Sequence, residues 1–297
     1  MEQHSNRAHL LMVVATVLVA TSFPVGAAIT HGLDSLVLTL LRFVLAAALF
    51  APIVAWRYGL SIPSLKDLAR YGAVSACLVA FFWGMFAALR YTSALNTATI
   101  FTLTPVVAAA ASAVLLKERL SRAARLALPV GMVGAIWVIF RGDVSALFSL
   151  RLGQGDWIFL AATVAMGFYA PLLKFLHRGE PMAQMTFWTL VTGAGWLFLL
   201  SIGRLPDIDW SSTPATVYAG IVYLAVFTTL ITFFAFQWST TVIGPTKVMS
   251  YTFLNPVLVL AIELAVGQPS PPIATYPGLV LVVGATFILQ RSTARSG

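Results

Sequence analysis

Two ionisable side chains lie within apolar stretches of this 297-residue chain, each in the outer part of its stretch: Arg42 and Glu263. A charge at such a depth costs roughly 3 kcal/mol or more, so each is a functional candidate by default. A direct Arg42–Glu263 pair and separate snorkelling of each side chain to the interface are both open readings. Other reactive patterns are scarce. His4, His9, His31 and His177 fall at the tail or at segment ends, without HExxH or paired spacing, so neither a metal site nor a metal cofactor is expected. Cys77 is the single cysteine, which excludes an intrachain disulfide and a cysteine metal cluster. No glycine-rich phosphate loop and no Ser/His/Asp set at a common depth is present. No catalytic residue or cofactor is assigned, and the chain is read as a protein other than an enzyme.

What gathers at mid-depth is aromatic and small-polar: Phe81, Phe82 and Phe86; Thr99, Phe101, Thr102 and Thr104; Met166 and Tyr169; Phe233, Phe234 and Gln237; Tyr251, Thr252, Phe253 and Asn255. Aromatic walls with a few hydroxyls and amides suit a small amphipathic solute. Packing against neighbouring helices or lipid is the plainer use of any one of these side chains. Their concentration beside Pro105 and Pro256 favours a cavity, because a proline frees a helical carbonyl and freed groups are tolerated at depth where they meet protein or water.

The elements that position these residues are ten apolar segments, read at about 10–30, 36–57, 68–89, 95–116, 122–141, 156–175, 182–203, 214–236, 243–266 and 272–290. About 20 apolar residues rising 1.5 Å each cross a hydrocarbon core about 30 Å thick. The composition, 59% hydrophobic and 9% charged, excludes a water-soluble domain of this size. The formal charge of +8 belongs to segment ends rather than to a nucleic-acid surface, so no nucleic-acid partner is expected. Arg7, Arg57, Lys66, Arg70, Lys117, Arg119, Arg122, Arg125, Lys174, Arg178, Lys247, Arg291 and Arg295 fall on one side; Arg90, Arg141, Arg151 and Arg204 fall on the other. This bias puts both termini in the cytoplasm of a multi-pass protein of the cell (inner) membrane. The first segment is too long for a cleaved signal and is read as a retained span.

Pro24 with Gly32 and Pro171 with Gly179 recur at an offset of 147, and Pro105 with Pro256 at 151. Two units of five segments follow, 1–147 and 148–297. An odd number of crossings inverts the second unit, a known basis for alternating access around a midplane site. Pro24, Pro105, Pro171 and Pro256 are then the expected hinges. Small residues in segments 5 and 10 (Gly131, Gly134, Gly278, Gly284) leave close helix packing and a homodimer contact both open.

Several motifs punctuate residues 22–120: Ser22-Phe23-Pro24-Val25-Gly26, Arg42-Phe43, Tyr91-Thr92-Ser93-Ala94-Leu95 leading to Pro105, and Leu116-Lys117-Glu118-Arg119-Leu120. In these the chain resembles the drug/metabolite transporter superfamily, in its ten-span EamA-type branch, and most of all amino acid exporters of the YddG type. It departs from the family pattern in carrying Lys117 where glycine is usual, and Gly267-Gln268-Pro269 without the acidic residue in the second half. The resemblance implies segments 1, 3, 4, 6, 8 and 9 as the lining of a central cavity.

The expected protein is therefore an all-α integral membrane protein of ten transmembrane helices, arranged as two inverted five-helix repeats, that exports small metabolites, amino acids with aromatic or apolar side chains first. The expected substrate contacts are Phe82, Thr102, Met166, Tyr169, Phe234, Tyr251, Phe253 and Asn255. Transport of another amphipathic solute or drug, a channel, and an intramembrane enzyme are the competing readings. Saturable flux, unsaturable flux and product formation without compartments separate them.

Overall fold

The computed structural model describes residues 2–118, 122–145 and 152–291. Arg119 and Leu120 of the segment 4 corner, Arg151, Arg295 and the expected boundary between 147 and 148 lie outside the described residues. Every regular element among the described residues is helical. Segment 1 is the helix Glu2–Ile29, segment 2 Ser35–Tyr58 and segment 3 Leu65–Ala88. Segment 4 is two helices, Ala94–Phe101 and Thr104–Leu115, and segment 5 is Arg122–Ile139. Segments 6 and 7 are Gln154–Leu176 and Met182–Ser201. Segment 8 runs through Ala215–Ala225, a π-helical turn Val226–Ile231 and Thr232–Ile243. Segment 9 runs through Pro245–Ser250, a 3-10 turn Tyr251–Leu254 and Asn255–Ala265; segment 10 is Tyr276–Arg291. Eight of these stretches are long and apolar enough to cross a membrane, and Ile273–Leu289 is a shorter apolar helix.

Local chemistry explains where the helices begin. The Asp34 carboxylate accepts from the Leu36 N–H at 2.9 Å, Ser64 from Asp67 at 3.2 Å and Ser93 from Asn96 at 3.1 Å. Each cap removes an orphan donor of the first turn. Segment 8 was expected to stop near 236 but stays helical to Ile243. The polar run is absorbed because Thr240 and Thr241 donate to the carbonyls of Phe236 (2.7 Å) and Trp238 (2.8 Å). The turn comes only at Gly244, whose φ of +86° favours a residue without Cβ.

The two broken segments are built alike. Pro105 supplies no N–H for the Phe101 carbonyl four residues back, and the hydroxyl of Thr104 donates to it instead, at 2.6 Å. Pro256 likewise leaves the Thr252 carbonyl, and the amide of Asn255 donates to it at 3.1 Å. In both cases the residue before the proline closes the gap. Because the Asn255 N–H also donates to the Thr252 carbonyl, Asn255→Ala should cost only about 0.5–1.5 kcal/mol, the net worth of one hydrogen bond, and Asn255→Thr should restore most of it. Melting of the detergent-solubilised variants measures both.

Packing follows a simple rule. Segments 2 and 7, 4 and 9, and 5 and 10 lie side by side. Segment 3 packs on 6 and 7, as segment 8 packs on 1 and 2; segment 4 packs on 6 as segment 9 packs on 1. Exchanging each segment with the one five places on leaves this set of neighbours unchanged. Segments 5 and 10 approach closely through glycine: a Cβ at Gly134 would sit 2.8 Å from the Gly278 carbonyl oxygen, and one at Gly278 2.7 Å from that of Gly134. These glycines serve close packing within the chain. Gly284 faces open space.

Candidate functional site

Segments 1, 3, 4, 6 and 8 enclose a cavity of about 20 Å³, space for a single water molecule. Its wall is Val19, Ser22, Leu78, Phe81, Phe82, Phe101, Met166, Tyr169, Thr228, Thr232, Phe233 and Phe236. The aromatic rings form one continuous cluster. Phe81 stacks on Phe101 with centroids 4.8 Å apart, and Phe82 stacks on Phe233 at 5.6 Å. Phe81 meets Phe82 edge-on at 4.9 Å, joining the two stacks. Phe23 and Phe159 pack on the first stack and Phe43 on the second. Larger apolar grooves lie between segments 9 and 10 and against Trp83 and Trp196. Their walls hold no acidic or basic side chain and include exposed apolar side chains such as Val280 and Phe287, the surface expected of lipid contact.

The expected contact residues divide by position. Phe82, Met166 and Tyr169 lie on the cavity wall. Thr102 is buried behind it, its hydroxyl donating to the Thr99 carbonyl at 2.6 Å. Phe234 is 37% exposed, and its neighbour Phe233 takes the inner face. Tyr251 hydrogen-bonds to His9 Nδ1 at 2.8 Å, away from the wall. Phe253 is fully buried in a second cluster with Ala109, Ala127, Leu128, Val282 and Ala285. Asn255 holds the proline gap, its amide donating to Thr252. Segment 9 thus contributes nothing to this wall. Of the hinge candidates, Pro105 and Pro256 start new helices after a break, while Pro24 and Pro171 sit inside continuous ones. Sequence reasoning passed over Leu78, Thr228, Thr232 and Phe236; the Thr228–Thr232 spacing on one helix face was the available signal.

Arg42 neither snorkels nor pairs with Glu263. It is fully buried, its Nε donating to the Thr229 hydroxyl and its Nη2 to the carbonyl and hydroxyl of Thr228, at 2.8 and 2.9 Å. The π-helical turn makes this possible. Within it the Thr232 N–H donates to Thr229, and the Thr228 carbonyl accepts instead from the Thr232 hydroxyl at 2.9 Å and from the guanidinium. The guanidinium carbon lies 4.1 Å over the Phe82 ring. Tyr169 and Gln237 approach each other near the same cavity without hydrogen-bond geometry; the Gln237 oxygen is taken by Thr186 at 2.6 Å.

Ion pairs tie segments together at both ends. Lys174 meets Glu118 at 2.8 Å, so it has a partner rather than a free snorkelling path; Arg70 meets Glu180 at 3.3 Å. At the opposite end Arg204 meets Asp34 at 2.6 Å and Thr92 donates to Asp156 at 2.7 Å. Lys117 takes the left-handed conformation, φ +54°, as does Gly267 at the matching corner, φ +83°. That explains why glycine suits position 117. Lys117→Gly should stabilise the fold by about 1 kcal/mol through relief of the Cβ–carbonyl clash, read as a rise in melting temperature.

Comparison with known proteins agrees with this architecture. A solved crystal structure of a protein superposes with a TM-score of 0.70 at 18% identity, covering 95% of this chain and 96% of that one. An uncharacterized transporter, YyaM, of Bacillus subtilis is 27% identical over 82% of this chain and 80% of its own. A probable terminal-alkyne amino-acid exporter of Streptantibioticus cattleyicolor is 27% identical over 96% of this chain and 94% of its own. The model of the EamA-like transporter family matches residues 6–140 and again residues 153–291. The chain is a multi-pass membrane protein and belongs to the EamA-like transporter family.

Proposed function

We propose that this transporter exports small amphipathic metabolites, amino acids with apolar or aromatic side chains first, by alternating access between two inverted five-helix halves. The observation that carries the reading is the aromatic cavity where segments 1, 3, 4, 6 and 8 meet. A two-fold exchange of neighbours supports the repeat, as does the double match of the family model. With five segments per half, such an axis lies in the membrane plane. The ends carry different latches: Glu118 pairs with Lys174 at one, and the matching corner of the second half has Gln268. A cavity of about 20 Å³ must widen severalfold to admit an amino acid, and the breaks at Pro105 and Pro256 give segments 4 and 9 places to bend. The lysine and arginine bias supports a cytoplasmic position for both termini.

The first choices for substrate contact are Phe82, Met166 and Tyr169, joined by Phe81, Phe101 and Phe233. The resemblance to an amino-acid exporter over 96% of this chain supports that solute class. Counterflow in proteoliposomes, with a panel of amino acids, sugars and nucleotides, tests the reading. Saturable exchange of apolar amino acids is expected. Unsaturable flux without counterflow would indicate a channel, and preference for sugars or nucleotides would reject the solute class.

A further inference from the structure

A buried positive charge with no counter-charge is costly to keep at this depth. Arg42 is fully buried, and none of the ion pairs among the described residues includes it. Two of its nitrogens are fixed by Thr228 and Thr229, but Nη1 has no hydrogen-bond partner. A bridge between these segments does not require a charge. Segments 7 and 3 are joined by a neutral bond from Thr192 to Ser75 at 3.1 Å, and segments 7 and 8 by Thr186 to Gln237. What the guanidinium adds is attraction for an anion.

Its location fits that use. Phe82, Thr228 and Phe233 line the cavity, and Phe82 lies directly beneath the guanidinium, 4.1 Å from its carbon. One aromatic ring separates the charge from the cavity. Segment 7, the counterpart of segment 2 under the exchange of halves, carries no acidic or basic side chain over Met182–Ser201, so Arg42 has no matching charge in the other half. We propose that Arg42 is the anion receptor of the central site, and that the substrate carries a carboxylate which engages Nη1 when the Phe82 ring turns aside. The inference rests on the transport reading above. The open Nη1, carrying two N–H donors on a fixed positive charge, can donate to a carboxylate oxygen. The remaining wall is apolar or hydroxylic and suits an uncharged side chain.

The test compares molecules that differ only at the charged group. In counterflow of labelled L-phenylalanine, unlabelled L-phenylalanine and 3-phenylpropanoate should compete at least tenfold better than L-phenylalaninamide and 2-phenylethylamine. Inorganic phosphate should not compete. Arg42→Gln should fold, melt at or above the parent, and compete with acid and amide alike. Arg42→Lys, which keeps the charge without the planar fork, should retain part of the preference and covers the case in which Arg42→Gln fails to fold. Equal competition by acid and amide in the parent protein would overturn the proposal while leaving transport intact. So would an acid preference that survives Arg42→Gln, or a lowered melting point with acid and amide reduced together, which is what a purely structural arginine predicts. If labelled phenylalanine does not exchange at all, the transport reading for that solute fails, and melting decides the receptor separately. 3-Phenylpropanoate should raise the melting temperature of the parent but not of Arg42→Gln, and equal shifts, or none, would reject it.

Discussion

Phe82→Leu is expected to lower counterflow of an aromatic amino acid about tenfold while changing the melting temperature by only a few degrees. Leucine keeps an apolar side chain at the wall but removes the ring face, which stacks on Phe233, meets Phe81 and Phe43 edge-on, and underlies Arg42. An aromatic pair contributes about 0.5–1.5 kcal/mol beyond its area, and 1.4 kcal/mol is a factor of ten. A substrate ring that replaces one of these partners in the open cavity gains that term only if Phe82 presents a face. Alanine is the blunter change, since truncating a buried phenylalanine costs about 3–5 kcal/mol in a packed core and could reduce folded protein. Phe234→Leu is the matched control. It changes an adjacent phenylalanine that is 37% exposed and off the wall, and it should leave transport unchanged. Unaltered flux in Phe82→Leu, with loss in Phe234→Leu, would move the site to the other face of its surroundings.

The contrast between Phe233 and Phe234 shows what the sequence could express. Depth was readable, because a helix in lipid must be apolar for about 20 residues and the charged ends mark its limits. The proline breaks were readable only in part: Pro105 and Pro256 follow breaks, but Pro24 and Pro171 leave their helices continuous, so a missing N–H does not by itself decide the outcome. Rotation about the helix axis was not readable. A soluble helix declares its inner face by a polar stripe opposite, but a helix apolar all round carries no such stripe. So the phenylalanine pair at 233 and 234 marked a level along the segment and left open which ring turned inward. Arg42 shows a second limit. Its distance from the segment end suggested snorkelling, but its burial depends on a carbonyl released by a π-helical turn in segment 8. Nothing in the residue types at 226–231 distinguishes that turn from regular helix. The prolines of segments 4 and 9 pointed to freed carbonyls facing a cavity, yet Thr104 and Asn255 take those carbonyls themselves. Hydroxyl and amide side chains before a proline can serve either backbone or solute, and only the geometry decides.

Phe253 provides the opposite case, an aromatic residue at the expected depth whose removal should damage the fold rather than the flux. Its ring lies against Gly131, where a Cβ would fall 2.5 Å from the ring tip, and it shares its cluster with Ala109, Ala124, Ala127, Ala135 and Ala285. Most of these neighbours are alanines, which cannot swing in, so much of the void left by Phe253→Ala persists beside Leu128, Val282 and Leu289. In water such a change costs about 3–5 kcal/mol. Lipid supplies no hydrophobic drive between helices, so roughly 2–3 kcal/mol of lost packing is expected here. That should appear as a lower midpoint of unfolding in a denaturing-detergent titration, with transport per folded molecule near the parent value. The glycine gives an internal check. Gly131→Ala should destabilise the parent, where the new methyl meets the ring, and should be tolerated in Phe253→Ala, where the ring is gone. A coupling of at least 0.5 kcal/mol in that double-mutant cycle is expected for groups in contact. Additive effects, or a Phe253→Ala protein that is stable but fails to transport, would return Phe253 to the substrate's path.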